Sequence, residues 1–200
     1  EEIADLGVTI WKLDNGIRVV LKPTDFQNDQ ILFESFSTGG HSLVADPEYI
    51  PASMATTVVT QGGVGEFNLV ELQKKMAGKV VSVSPWIGPL REGISGSASP
   101  EDITTMFQLI YAYATAPRQD STAFQAYQNR MRGFIENRSA RPETAFSDTV
   151  QVTMAQYHHR ARPWSLELID EMDLLTSMAV YRNRFADMDG FVAGKHDPVA

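Results

Sequence analysis

The chain has 200 residues, of which 43% are hydrophobic, 10% aromatic and 21% charged, enough apolar material to bury the core of one domain and too much for a disordered tail. Its 17 basic and 25 acidic residues leave a formal net charge of −8, which a phosphate backbone would repel, so nucleic acid is excluded as a partner and the charge reads as ordinary solubility. Cysteine is absent, which removes disulfides, thiolate metal sites and cysteine nucleophiles, and no run of about 18 apolar residues is available to span a membrane.

The opening residues, Glu1 to Asp5, are acidic and lack the basic start of a signal peptide. That points to a cytosolic protein or to an internal piece of a longer chain. Residues 9–13 and 17–22 read as two strands joined at Asp14-Asn15-Gly16, because Asn-Gly is a strong two-residue hairpin signal. Residues 30–37 alternate with apolar groups on both faces (Ile31 and Phe33, Leu32 and Phe36), which predicts a strand placed centrally in a sheet. Gly39-Gly40 ends it. A helix follows Pro51, with Met54, Ala55, Val58 and Val59 at helical spacing, and Gly62-Gly63 stops it. A second helix covers 69–76 up to Gly78. Residues 80–87 and 93–98 are the next two strands. The small residues of the second, around Ile94, Gly96 and Ala98, predict that something packs closely on it.

Helices dominate from Ser99 onward. Ser99-Pro100-Glu101-Asp102 supplies an N-cap serine, proline at the first helical position and acids in the first turn. Pro117 ends that helix. A long helix opens at Asp120 or Ser121 and runs to Arg138. Pro142 opens another, reaching Tyr157. A further helix, 174–185, aligns Leu174, Met178, Tyr181 and Phe185. A short apolar segment at 191–193 precedes Asp197-Pro198 and is expected to be one more strand. Long helices after a set of strands must cover one face of the sheet. The predicted fold class is therefore α+β: one domain, two layers, a largely antiparallel sheet covered on one face by helices.

The polar clusters have plain readings. His158-His159, beside Arg160 and Arg162, has too few ligand neighbours for a metal and reads as a solvated cap at a helix C-terminus. His41 in a turn and His196 near the end read as surface residues. Gly62-Gly63-Val64-Gly65 lacks a phosphate-loop pattern, and Ser95-Gly96-Ser97 is not a nucleophile turn. Asp170, Glu171 and Asp173 lack the alternation of a calcium loop and read as an acidic helix start. Arg130, Arg132 and Arg138 read as a solvated helix face, with the lining of an inner chamber as the alternative.

Several segments, in order, resemble the repeating domain of the insulin-degrading/pitrilysin zinc peptidases. Leu13-Asp14-Asn15-Gly16-Ile17-Arg18-Val19-Val20, with Pro23, resembles the family's opening hairpin. Phe36-Ser37-Thr38-Gly39-Gly40 and His41-Ser42-Leu43 resemble the strand end and turn that follow it. Ala116-Pro117-Arg118 is similar to the turn before the long helix. Tyr181-Arg182-Asn183-Arg184-Phe185, with Phe191-Val192-Ala193-Gly194-Lys195-His196-Asp197-Pro198, resembles the family's ending. The combined match covers nearly the whole chain.

The resemblance implies a zinc site of the form H-x-x-E-H on the helix before Gly62, two histidines as ligands and the glutamate as general base, with a carboxylate from a later helix. Those positions hold Ser53, Met54, Ala55, Thr56 and Thr57, and Gln125 to Ile135 contain no acid. The chain is therefore expected to have no catalytic, cofactor-binding or metal-binding residue of its own. Zinc is expected in a separate catalytic domain of the same or a partner chain, and the partners are that domain and a peptide substrate. The motifs look most like the third of the family's four domains, a chamber-forming, substrate-enclosing unit, and family analogy suggests the periplasm. The alternative is an inactive homologue serving as a scaffold or assembly subunit.

Overall fold

A computed structural model describes residues 1–139 and 141–185. The expected strand at 191–193, the Asp197-Pro198 turn and His196 lie outside the described residues.

The first of two antiparallel sheets runs in the order β1 (Glu2–Ile3), β2 (Val8–Lys12), β3 (Arg18–Leu21). Strands β2 and β3 are the predicted hairpin, with Ile10 paired to Val20 and Lys12 to Arg18. Its connection holds three residues and not two. Leu13 N–H donates to the Ile17 carbonyl across it (2.8 Å), and Gly16 closes the turn at φ +89°, a conformation that suits glycine. The two-residue β1 is too short to leave a period in the sequence.

The second sheet has the order β4 (Ile31–Thr38), β6 (Arg91–Ala98), β5 (Val81–Ile87). Here the sequence expectation for 30–37 fails: among the described residues β4 is an edge strand and the small-residue β6 is central. The apolar residues on the second face of β4 are not buried, since Leu32 is 74% and Phe36 63% exposed. Small residues in β6 let its neighbours close in. A Cβ on Gly93 would sit 1.8 Å from the Ser35 carbonyl oxygen, and one on Gly96 would sit 3.2 Å from Met106 Sδ.

The helices are α1 (Tyr49–Ser53), α2 (Ala55–Gly62), α3 (Leu69–Lys75), α4 (Ile103–Thr115), α5 (Ser121–Ser139), α6 (Pro142–Met154), α7 (Leu166–Asp170) and α8 (Leu174–Arg184). The single helix expected after Pro51 is broken at Met54 into α1 and α2, and α7 falls in a segment with no predicted element. Caps follow the sequence. Ser99 accepts from Asp102 N–H (3.3 Å), Asp120 from Ala123 N–H (2.9 Å) and Asp173 from Thr176 N–H (2.7 Å); each such cap is worth about 1 kcal/mol. Helix α4 packs on β5 and β6, and α2 packs on β5, α5 and α8. The predicted α+β class, with antiparallel strands backed by helices on one face, is what the chain adopts. Ala55, Val59, Ile94, Met106, Ile110, Ile169, Met178, Tyr181 and Phe185, all nearly or fully inaccessible to solvent, join the two layers. Burying each large side chain of this kind contributes about 1.5–3 kcal/mol.

Candidate functional site

The corner between α1 and α2 carries the five positions that the resemblance aligns with a zinc motif. Ser53, Thr56 and Thr57 are half-buried there, and Met54 and Ala55 are buried. Ser53 Oγ donates to the Ile50 carbonyl (2.8 Å), and the Thr57 carbonyl accepts from Thr60 Oγ1 (3.0 Å), so Ser53 is tied to its own helix. Helix α5 faces this corner with Tyr127, whose hydroxyl lies 4.0 Å from Met54 Sδ; burial raises the Tyr127 phenol pKa. Arg130 lies over the Tyr127 ring (5.4 Å) and donates to Gln61 Oε1 (3.0 Å), and Gln128 donates to the Ile169 carbonyl (3.3 Å).

The donors between α2 and α5 are thus hydroxyls, a thioether, amides and a guanidinium. Zinc takes thiolate, imidazole or carboxylate, and a guanidinium repels it. These residues do not fit the metal. Among the described residues no group of three or more His, Cys, Asp or Glu is placed to hold a metal ion.

A second polar cluster joins the segment after β4 to the turn after α6, and sequence reasoning missed it. Arg160 donates to Asp46 Oδ1 through Nε (2.9 Å) and Nη2 (2.6 Å), to the His41 carbonyl (3.0 Å) and to the Val44 carbonyl (2.7 Å), with its guanidinium 4.8 Å from the Tyr49 ring centroid. The hydrogen bond from Arg160 is the main reason the Asp46 pKa is lowered. His159 Nε2 is 3.2 Å from Asp46 Oδ1, and His158 Nδ1 accepts from Arg160 N–H (3.2 Å). The two histidines therefore do not cap α6 as expected; they begin a 3-10 turn, His159–Ala161. His41 is half-buried and not a surface residue. Burial is the main cause of its lowered pKa, with the Ala52 carbonyl and Glu92 acting the other way, and its Nε2 is buried without a hydrogen bond of good geometry. Glu92, 5% exposed, accepts from Ser37 Oγ (3.0 Å) and from Gly40 N–H. The bonds from Gly40 N–H to Glu92 and from Arg160 to the His41 carbonyl hold the Gly39-Gly40 turn in place.

Of the three arginines of α5, Arg130 is exposed and Arg132 and Arg138 partly exposed, and each has a polar partner. Arg130 bonds Gln61, Arg132 pairs with Asp170, and Arg138 pairs with Asp148 (3.0 Å through Nη1). Of the acidic cluster, only Asp173 starts a helix; Asp170 ends α7, and Glu171 holds Arg162 through both oxygens (2.8 Å each). Gly63 does stop α2, at φ +90°. Ser95-Gly96-Ser97 lies within β6 under α4. A shallow cavity of about 260 Å³ between α5 and α6 is lined by Phe134, Asn137, Arg138, Arg141 and Thr144. It is smaller than sites that enclose small molecules. Among the described residues no helix is long and apolar enough to cross a membrane.

The chain is 26% identical over 203 residues to the zinc protease PQQL-like of Arabidopsis thaliana, covering 98% of this chain and 18% of that one. It is 21% identical over 126 residues to the probable zinc protease PqqL of Haemophilus influenzae, covering 63% of this chain and 14% of that one. Among solved structures it is similar to the ferredoxin protease FusC in complex with Arabidopsis ferredoxin (TM-score 0.74, 16% identity, 92% of this chain and 20% of that one). The periplasmic protease PqqL of Escherichia coli is also similar (TM-score 0.73, 22% identity, 92% and 20%). So is a peptidase M16 inactive domain from Pseudomonas fluorescens (TM-score 0.58, 12% identity, 90% and 50%). No protein-family model matches the chain. The chain has the fold of an M16-like domain. It spans less than a fifth of the length of the curated relatives it matches.

Proposed function

We propose that this chain is a non-catalytic domain of a zinc metallopeptidase, one that helps to form the chamber and enclose a peptide substrate while a separate domain holds the zinc. The observation that carries the reading is the α1–α2 corner. Ser53, Thr56 and Thr57 stand where two imidazoles and a carboxylate would be needed, and α5 brings Tyr127 beside Met54 at the same corner. Without an imidazole, thiolate or carboxylate, zinc has no ligand at this corner, and with no bound zinc no water is acidified for attack on a peptide bond. The E. coli relative's periplasmic setting suggests the same compartment.

Metal analysis of this chain and of its parent polypeptide tests the proposal, starting from material released by osmotic shock. We expect the parent to appear in that fraction, to carry zinc and to cleave peptides, and this chain alone to do neither of the last two. Stoichiometric zinc in this chain alone would falsify the reading, and recovery only from the cytosol would overturn the compartment. A parent without H-x-x-E-H in any domain, and without activity, would make the chain a scaffold subunit instead.

A further inference from the structure

Three of the chain's four histidines gather around one arginine. The turn after α6 brings His158, His159 and Arg160 to the segment after β4, where His41, Asp46 and Tyr49 lie. The Tyr49 ring meets His41 edge-on (centroids 5.7 Å apart) and also carries the Arg160 guanidinium. The rings of His158 and His159 are 4.6 Å apart.

Two of these imidazoles are needed in their neutral form. His158 Nδ1 accepts the Arg160 N–H that begins the 3-10 turn, and a protonated Nδ1 has no lone pair to offer. His41 is half-buried; burial first, and then the Arg160 cation, oppose a charge on it, against the Ala52 carbonyl and Glu92. His159 acts the other way. Its proton strengthens the contact with Asp46 Oδ1, the same oxygen that takes both Arg160 bonds. Asp46 stays ionised through the range in which imidazoles titrate, because the Arg160 hydrogen bond lowers its pKa. Of the other charges nearby, Glu48 is exposed on the 3-10 turn Asp46–Glu48, Arg162 is held by Glu171, and Arg91 of β6 lies over the Phe36 ring (5.1 Å). With the imidazoles neutral, the cluster sets one cation, Arg160, against Asp46 and Glu92. With all three protonated, four cations meet the same two anions.

The turn is also strained. Gln156 and Tyr157 are consecutive residues at φ +51° and +56°, a conformation that side chains with a Cβ resist. Strain of this kind persists only where surrounding contacts impose it, and the Arg160 bonds to Asp46, His41 and Val44 are the contacts that hold the turn on the rest of the fold.

We infer that the turn over residues 156–162 is a pH-sensitive clasp, closed on the segment after Gly39-Gly40 while His41 and His158 are neutral and released when they take up protons. The His41 pKa is lowered in the closed state. Closure is therefore fully stable above about pH 6.5, the value of a free imidazole, and weakens as pH falls towards the His41 value. This holds whether or not the chain is catalytic.

The test is hydrogen exchange read by mass spectrometry on the full polypeptide that carries these residues, at about pH 8 and about pH 5, with labelling times scaled to the intrinsic rate at each pH. Peptides covering 156–162 should lose protection at the lower pH, by about tenfold for each unit between the closed and open His41 pKa values. Peptides from β6 and α4 should keep theirs. His41→Gln with His158→Asn, which keeps a cap acceptor but removes both titrating rings, should hold the turn closed at both pH values. His159→Gln should leave the response in place. Asp46→Asn, which removes the anion under Arg160, should open the turn already at about pH 8, a measurement that stands if the double variant does not fold. Equal protection of 156–162 at both pH values in the unaltered protein overturns the inference. So does acid opening that persists in the double variant, opening that spreads to β6 and α4 at the same pH, or a turn that stays closed in Asp46→Asn.

Discussion

Replacing Tyr181 with phenylalanine removes one oxygen from the centre of the core and isolates one carbonyl. The final backbone bond of α4 runs from Ala116 N–H to the Ala112 carbonyl. The next carbonyl, that of Tyr113, would be served by residue 117, which is proline and has no N–H. Tyr181 takes that place: its hydroxyl donates to the Tyr113 carbonyl at 3.0 Å, from a side chain with 0% exposure. Tyr181→Phe keeps the ring and its contact with Phe185 (centroids 4.5 Å apart), so the cost is that of a buried unpaired acceptor, about 1–3 kcal/mol. For a chain of this size each kcal/mol moves Tm by about 2–4 °C, which gives a fall of about 2–12 °C. Thermal denaturation followed by circular dichroism reads it, with Tyr111→Phe as the control. Tyr111 is 52% exposed, and its change should stay within about 0.5 kcal/mol. A Tm for Tyr181→Phe equal to that of the control would mean that the Tyr113 carbonyl finds another donor, and the helix-end argument would be wrong.

Two glycines of β6 should respond differently to the same substitution. Gly93→Ala drives a methyl into the Ser35 backbone oxygen at 1.8 Å, while Gly96→Ala meets the flexible Met106 thioether at 3.2 Å. The first should cost more than the about 1–3 kcal/mol of ordinary overpacking, and the second less; equal urea midpoints for the two variants would refute this. Alkaline pH should destabilise the fold. Burial raises the phenol pKa of Tyr181, Tyr113 and Tyr127, whereas unfolded phenols ionise near pH 10, to an order of about one unit. Above that pH the unfolded chain holds fewer protons than the folded one, so stability present below about pH 10 falls as pH rises. The decline of Tm between about pH 8 and about pH 11 should be shallower in Tyr181→Phe, and identical slopes in the two proteins would contradict it.

Legibility from the sequence followed the range of the interaction. The hairpin at Asn15-Gly16, the capped starts at Ser99, Asp120 and Asp173, and the stop at Gly63 depend on backbone groups within a few residues, so local residue types announce them. The position of β4 was not legible. Alternation shows which faces of a strand are apolar, but not whether a second layer covers both, and Leu32 and Phe36 remain open to solvent. The histidines were misread for a related reason. His159 and Arg160 answer to Asp46, with 114 residues separating Arg160 from that carboxylate, and no local pattern records such a partner. Likewise, no local pattern records that Asp170 and Asp148 come beside Arg132 and Arg138.

By itself the sequence determined composition-level and local matters: an α+β chain, its periodic elements and caps, and the absence of ligand-type residues at Ser53, Thr56 and Thr57. Only the tertiary structure decided which strand became central, how Tyr181 completes the end of α4, and that Tyr127 comes beside Met54 at the α1–α2 corner. The physical reason is that side-chain chemistry is a property of each residue, whereas burial and pairing belong to groups that meet only after the chain has closed on itself.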